Sequence, residues 1–282
     1  MIRELLGHRE LVFTLVKRDL KVRYKASALG FLWSFGRPLF LMLIMWAVFS
    51  KIVRIDEGMH IPYALHLLTG LLPWMFLQGS LFDSQGTFLA NSNVVKKVSV
   101  PAGAFPLACV LSNLVHLVLA FGILCVFIAG YVFLVDPQLT PGWEVVFLPG
   151  LVLLQAAMLF GISLFVSSLN VFYRDTGSIT EISVTAWFYL TPVIYPVQMA
   201  REELTSMFAT DIVYYLYLCN PMTPIIVGYR RVLYGNHLRY APEISDPTLL
   251  TGLAISAAFT AIVLVAGIRL FSRLSKSFAD EL

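Results

Sequence analysis

From Val98 to Val135 the chain carries no Asp, Glu, Lys or Arg. Few folds accommodate such a run, because helices of soluble cores seldom extend so far without a charge. Started at Pro106, it makes a rod of about 45 Å at 1.5 Å per residue. That exceeds the ~30 Å hydrocarbon core of a bilayer, so the helix tilts or protrudes. The shortage of charge extends over most of the chain: 13% of residues are charged, against about 25% in a soluble domain. The fold class is therefore an all-α polytopic membrane protein.

Six spans are expected. The first runs from about Gly30 to Val53. Its charge-free part, Pro38 to Ser50, is too short alone, since a span needs ~20 residues. Trp33 to Arg37 must then enter the membrane region, while Lys51 snorkels to the far interface. This leaves Arg37 near or inside the inner leaflet, where arginine costs at least ~2.5 kcal/mol at the centre. Arg37 reads either as a contact for an anionic lipid or substrate, or as an interface anchor. The second span is about Pro62 to Phe82, the fourth Val145 to Leu169, the fifth Ile179 to Tyr195 and the last Thr248 to Ile268. Between the second and third lies a polar inner loop with Asn91, Asn93, Lys96 and Lys97, suited to a short helix across the membrane face.

The stretch from Ser167 to Pro196 organises the middle of the chain. A short charged hinge, Asn170-Val171-Phe172-Tyr173-Arg174-Asp175, leads into an apolar segment with Trp187, Phe188, Tyr189 and Tyr195, broken by Pro192 and Pro196. That is the pattern of a membrane helix that leaves a basic side and stops short at a proline. Residues 1–29 hold seven Lys and Arg, with Val12, Val16, Leu20 and Tyr24 recurring every four residues and Arg18, Lys21 and Lys25 on another face. They form a basic amphipathic helix suited to the anionic inner interface. Residues 30–282 make the six-helix transmembrane domain. No cleavable signal peptide is expected.

Residues 198–247 are polar, then apolar but broken by Asn220-Pro221 and Pro224. A continuous lipid-exposed helix with two central prolines leaves carbonyls unpaired, which is tolerated only against protein or water. Two short re-entrant helices returning to the outer side fit better than a seventh span. Both termini then lie inside, with thirteen Lys and Arg on inner segments, six on outer ones and Arg37 in neither.

Chemistry is sparse. There is no GxxxxGK[ST], no GxGxxG, no HExxH and no His, Cys or carboxylate cluster at metal spacing, so no metal site is expected. Cys109, Cys125 and Cys219 lack CxxC spacing and read as small buried apolar groups. Carboxylates are nearly absent from the spans; Asp83 and Glu181 sit close to inner ends. An ion-coupled transporter usually needs ionisable or unwound sites at the midplane, so active transport here would draw its energy from another subunit. A lipid-modifying enzyme lacks its acid/base or metal constellation; an assembly protein that moves nothing is a further alternative.

Several motifs carry a family resemblance. Arg18 to Lys25 (RDLKVRYK), then Ser27, Leu29-Gly30, Trp33 and Pro38-Leu39, resemble the N-terminal signature of type-2 ABC exporter permeases for cell-surface polysaccharides. That family includes exporters of lipopolysaccharide O-antigen, capsule and wall teichoic acid. Leu169 to Asp175 (LNVFYRD) is similar to the same family, as are Tyr189 to Pro196 (YLTPVIYP) and Asn220-Pro221-Met222-Thr223-Pro224 followed by Tyr229-Arg230 and Leu233-Tyr234-Gly235. The resemblance spans nearly the whole chain, in order.

The resemblance implies a homodimer of six-helix permeases in the bacterial cytoplasmic (inner) membrane, bound to two separate ATPase subunits that hold ATP and Mg. This chain would itself bind no cofactor, catalyse nothing and meet no nucleic acid. Asn91 to Val100, with Val94, Lys96 and Lys97, would be the coupling helix seated in the ATPase. Asn170, Tyr173, Arg174 and Asp175 would form a second contact. The substrate would be a polysaccharide on undecaprenyl (pyro)phosphate. Arg37, with Lys21, Arg23 and Lys25, would draw in its phosphates. Trp33, Phe35, Trp46, Trp187, Phe188 and Tyr189 are candidates to line a sugar passage, against the ordinary role of membrane aromatics facing lipid. Asn220, Pro221 and Pro224, within Tyr214 to Gly228, resemble the family's outer gate. An ABC permease for drugs or small lipids would share the architecture without a wide aromatic passage.

Overall fold

The computed structural model describes residues 1–24, 33–55, 59, 61–97, 101–137, 139–210, 212–234 and 244–281. All regular structure among them is helical: α1 (Ile2–Gly7), α2 (Arg9–Tyr24), α3 (Trp33–Lys51), α4 (Tyr63–Ala90), α5 (Ser92–Lys97), α6 (Ala104–Leu134), α7 (Leu148–Phe172), α8 (Thr176–Tyr189), α9 (Val197–Phe208), α10 (Ile212–Leu218), α11 (Met222–Leu233), α12 (Asp246–Leu274) and α13 (Phe278–Glu281). A 3-10 turn, Trp143–Phe147, leads into α7, and another, Ser275–Ser277, follows α12.

Among the described residues four helices are long and apolar enough to cross a membrane: α4, α6, α7 with its 3-10 lead-in, and α12 with its 3-10 tail. Of these α4 is the hub. In its most apolar stretch 78% of residues are buried within the molecule, against 22–28% for the other three. The outer faces of α6, α7 and α12 therefore stay apolar and uncovered, with Val126, Leu153 and Ile262 among the exposed side chains. The α7–α12 pair is the closest crossing. A Cβ on Gly267 would lie 2.6 Å from the Gly161 carbonyl oxygen, and one on Gly161 would lie 2.9 Å from the Leu264 backbone. Small residues let membrane helices approach where water supplies no drive for association.

Two shorter helices depart from simple spans. α3 has 19 residues, about 28 Å of rise. α8 has 14, about 21 Å, which is short of a ~30 Å core. The expected fifth span thus ends as a helix at Tyr189 rather than Tyr195. Pro192 explains the early stop, because a residue before proline is pushed out of the helical region. Residues Leu190 to Pro196 form an irregular strap before α9.

The core is continuous along α4. Leu67, Leu68, Leu71 and Leu77 meet Leu124 of α6, Met158 and Leu159 of α7, and Ile225 and Ile226 of α11. A second cluster closes the end of the molecule that carries α2 and α5, here called the basic end. There Phe88, Phe105, Phe271 and Phe278 gather with Leu5, Val12, Leu15 and Val16. The amphipathic pattern of α2 is real, but its apolar side is buried against α6 within the protein. Phe13, Lys17, Lys21 and Val22 face outward.

Candidate functional site

A cavity of about 550 Å³ opens where the last turn of α2 and the first turns of α3 meet α4 and α6. Its polar lining is Arg23, Arg37, Gln78, Asp83, Asn113 and His116, with Trp33 at one side. The structure therefore brings together three residues expected at the substrate's anionic end or along its path: Arg23, Arg37 and Trp33. Trp33 remains 54% exposed. Lys25 lies outside the described residues, and Lys21 points outward.

The two arginines differ. Arg23 donates to Asp83 Oδ2 and, at 3.2 Å, to Asn113 Oδ1. Asn113 donates to the same Asp83 oxygen at 2.6 Å and to the Cys109 carbonyl at 2.8 Å. Gly79 makes this arrangement possible, since a Cβ there would sit 2.4 Å from Asn113 Oδ1. Arg37 is exposed and forms no hydrogen bond or ion pair among the described residues. The site thus holds one tethered guanidinium and one untethered.

The segments expected to meet an ATPase converge on the last turns of α4. Asn91 caps α4; its amide donates to the Thr87 carbonyl at 2.7 Å and accepts from Arg18 of α2 at 2.6 Å. Asn170, at the end of α7, donates to the Gln85 carbonyl at 2.9 Å. Tyr173, Arg174 and Asp175 follow on the surface. The expected helix from Asn91 to Val100 is resolved as α5 over Ser92–Lys97. Its Val95 leans on the phenylalanine cluster, Lys96 is exposed, and α13 lies against it. The side chains of Val94 and Lys97, like that of Phe35, lie outside the described set.

At the far end the broken motif becomes a joint. Asn220 Nδ2 donates to the Leu190 carbonyl and to Thr191 Oγ1, both at 2.9 Å. Its Oδ1 accepts from the Trp187 indole at 2.7 Å and from the Met222 amide at 3.1 Å. Pro221 caps α11 and Pro224 stands in its first turn, where a missing N–H costs nothing. The Pro221 carbonyl accepts from Ser256 of α12 at 2.9 Å. The prolines thus begin a helix instead of interrupting one.

Of the six aromatics, the side chains of five are described. Trp33 and Trp46 lie about 20 Å apart along α3. Lys51 stands 5.3 Å over the Trp46 ring. Trp187 and Phe188 contact Trp74 of α4, at 6.1 and 5.4 Å between centroids, and Tyr189 is exposed.

Sequence reasoning quoted Arg230 in a motif and counted it among the six outer-segment cations, but gave it no role. This arginine is fully buried and donates to the Pro192 carbonyl at 2.8 Å and the Val193 carbonyl at 3.2 Å. Gly70 leaves room for it, with a Cβ there 3.0 Å from Arg230 Nη2. Gln155 was also missed; it joins the Pro73 carbonyl at 2.7 Å to the Tyr229 hydroxyl at 3.0 Å. For Gln155 the available signal was a lone polar residue in an apolar run; Arg230 stands beside Arg231 and carried no such signal. Of the three cysteines only Cys109 is buried; Cys125 and Cys219 lie on the surface.

Together the hub helix, the cavity toward its basic end and the apolar outer faces of α6, α7 and α12 define a polytopic α-helical membrane protein. The sequence profile of the ABC-2 type transporter family matches residues 10–234, and the chain belongs to that family. It is 31% identical to an O-antigen export system permease protein RfbA of Klebsiella pneumoniae, over 97% of this chain and 95% of that one. A second K. pneumoniae protein of the same name is 30% identical over the same shares. A Myxococcus xanthus protein, again an O-antigen export system permease protein RfbA, is 29% identical over 100% and 99%.

Proposed function

We propose that this chain is the membrane subunit of an ABC exporter that moves O-antigen, carried on undecaprenyl (pyro)phosphate, from the cytoplasmic side of the inner membrane. The observation that carries this reading is its end-to-end similarity to O-antigen export permeases. α3, α4, α6, α7, α8 with its strap, and α12 form six spans; α10 and α11 are re-entrant, and both termini are cytoplasmic. Two copies pair and bind two ATPase subunits, which hold Mg-ATP. α5 and the Asn170–Asp175 hinge receive the ATPase stroke. Both are anchored on the last turns of α4, so a rigid-body push at either reaches the hub helix.

In this reading the cavity at Arg23 and Arg37 takes the phosphates of the carrier. Deletion of the chain is expected to leave lipid-linked glycan on the cytoplasmic side, and the co-purified complex should show vanadate-sensitive ATPase activity. Arg37→Ala should impair export more than Lys51→Ala; equal export by the two variants would remove Arg37 from the substrate path.

A further inference from the structure

The geometry points to Asp83 as the specificity-determining residue of this cavity: a resident counter-ion that bars singly charged phosphodiesters and gives up Arg23 only to a diphosphate. This deepens the functional reading above and rests on it. Ordinary phospholipids vastly outnumber any carrier lipid, so a cationic cavity open to the membrane would fill with them unless something opposed it.

Asp83 supplies that opposition. One of its oxygens receives both Arg23 and Asn113, so two of the cavity's anion-binding groups are already engaged. Arg37 is the cavity's uncommitted guanidinium among the described residues. A phosphodiester bears one negative charge and would meet Arg37 together with the Asp83 carboxylate. It gains one contact and suffers one repulsion. A diphosphate bears more charge and more acceptor oxygens. It meets the same carboxylate and is repelled more, but it can bridge Arg37 and Arg23 at once and take the Asn113 amide, so its added contacts replace every bond that Asp83 releases and offset that repulsion. The exchange is feasible because the pair is only partly buried, with Arg23 and Asp83 side chains 36% and 38% exposed, and such pairs are weakly held. Discrimination by a built-in repulsive group is a general route to specificity. Asp83 here positions Arg23 and excludes wrong anions.

The test uses the full chain with its ATPase partner in nanodiscs of phosphatidylcholine. Binding of geranyl diphosphate, of a short-chain phosphatidylglycerol and of inorganic pyrophosphate is measured by calorimetry. The wild type should prefer geranyl diphosphate to phosphatidylglycerol by about tenfold or more. Asp83→Asn should tighten phosphatidylglycerol binding about tenfold and erase most of that preference. Asp83→Glu, which keeps the charge, should preserve it. Arg23→Gln should weaken geranyl diphosphate binding. A merely structural Asp83 would weaken all ligands together in Asp83→Asn, and that result overturns the proposal. So does an unchanged preference in Asp83→Asn. Inorganic pyrophosphate binding as tightly as geranyl diphosphate would make this a free-diphosphate site and also overturn it. Any of these failures with lipid-linked glycan still accumulating on deletion would leave the export reading standing. Loss of that accumulation with the binding preference intact would sink the export reading alone.

Discussion

At the basic end, Phe88, Phe105, Phe271 and Phe278 meet with ring centroids 4.8 to 5.9 Å apart. At the far end the strap after α8 is held by side-chain donors on backbone carbonyls. Leu190 is bonded by Asn220, Pro192 and Val193 by Arg230, and Ile194 by Tyr63 at 3.0 Å. The difference follows from the state of the backbone. Around the phenylalanine cluster the helices are regular, their peptide groups are paired internally, and packing suffices. The strap has no helix to satisfy its carbonyls, and an unpaired carbonyl in an apolar surround is expensive. Three other elements therefore each lend it a donor.

That contrast can be broken from either side. The largest effect is expected from Phe88→Ala, about 4 kcal/mol, since a fully buried ring at the centre of four leaves a cavity. Hydrogen exchange should rise in α2, α5 and α13 and stay low in α11; a uniform rise would mean that the two ends are one cooperative unit. Arg230→Met keeps the volume and removes the donors. It should cost about 3 kcal/mol, because the Pro192 and Val193 carbonyls are left buried and unpaired. Here exchange should rise around α8–α11 with α2 protected. Thermal unfolding within error of wild type would show that water takes the place of the guanidinium. Asn220→Ala should cost about 2 kcal/mol in the same assay. It should also shift Trp187 fluorescence, as the indole loses its acceptor. No spectral change would separate Trp187 from the joint.

Much of the fold was readable before the structure. The charge-free run announced α6 and the spacing of Val12 and Val16 announced α2, whereas the fifth span was expected to reach Tyr195 and its helix stops at Tyr189. The division of residues 198–247 into short helices followed from Pro221 and Pro224. Parts of the site were readable too, because Arg37 and Trp33 had to lie near the start of α3 once its apolar part proved too short. The rest was not readable. Val12 and Val16 could face lipid or protein on the same pattern, and the structure buries them against α6. Nothing local to Trp187 pointed to Asn220 as the acceptor of its indole. Arg230 looked like a loop charge and is the most deeply enclosed cation described.

Helix type and the membrane setting were determined by the sequence alone, because they depend on terms that act within a few residues: apolar transfer and internal peptide pairing. Which polar groups meet was decided only by the tertiary structure. Arg23 finds Asp83 60 residues away and Asn113 90 residues away, and Arg230 finds its carbonyls across 37 and 38. No local energy encodes such pairings; they exist because α4 is enclosed by helices that leave each donor one place to go.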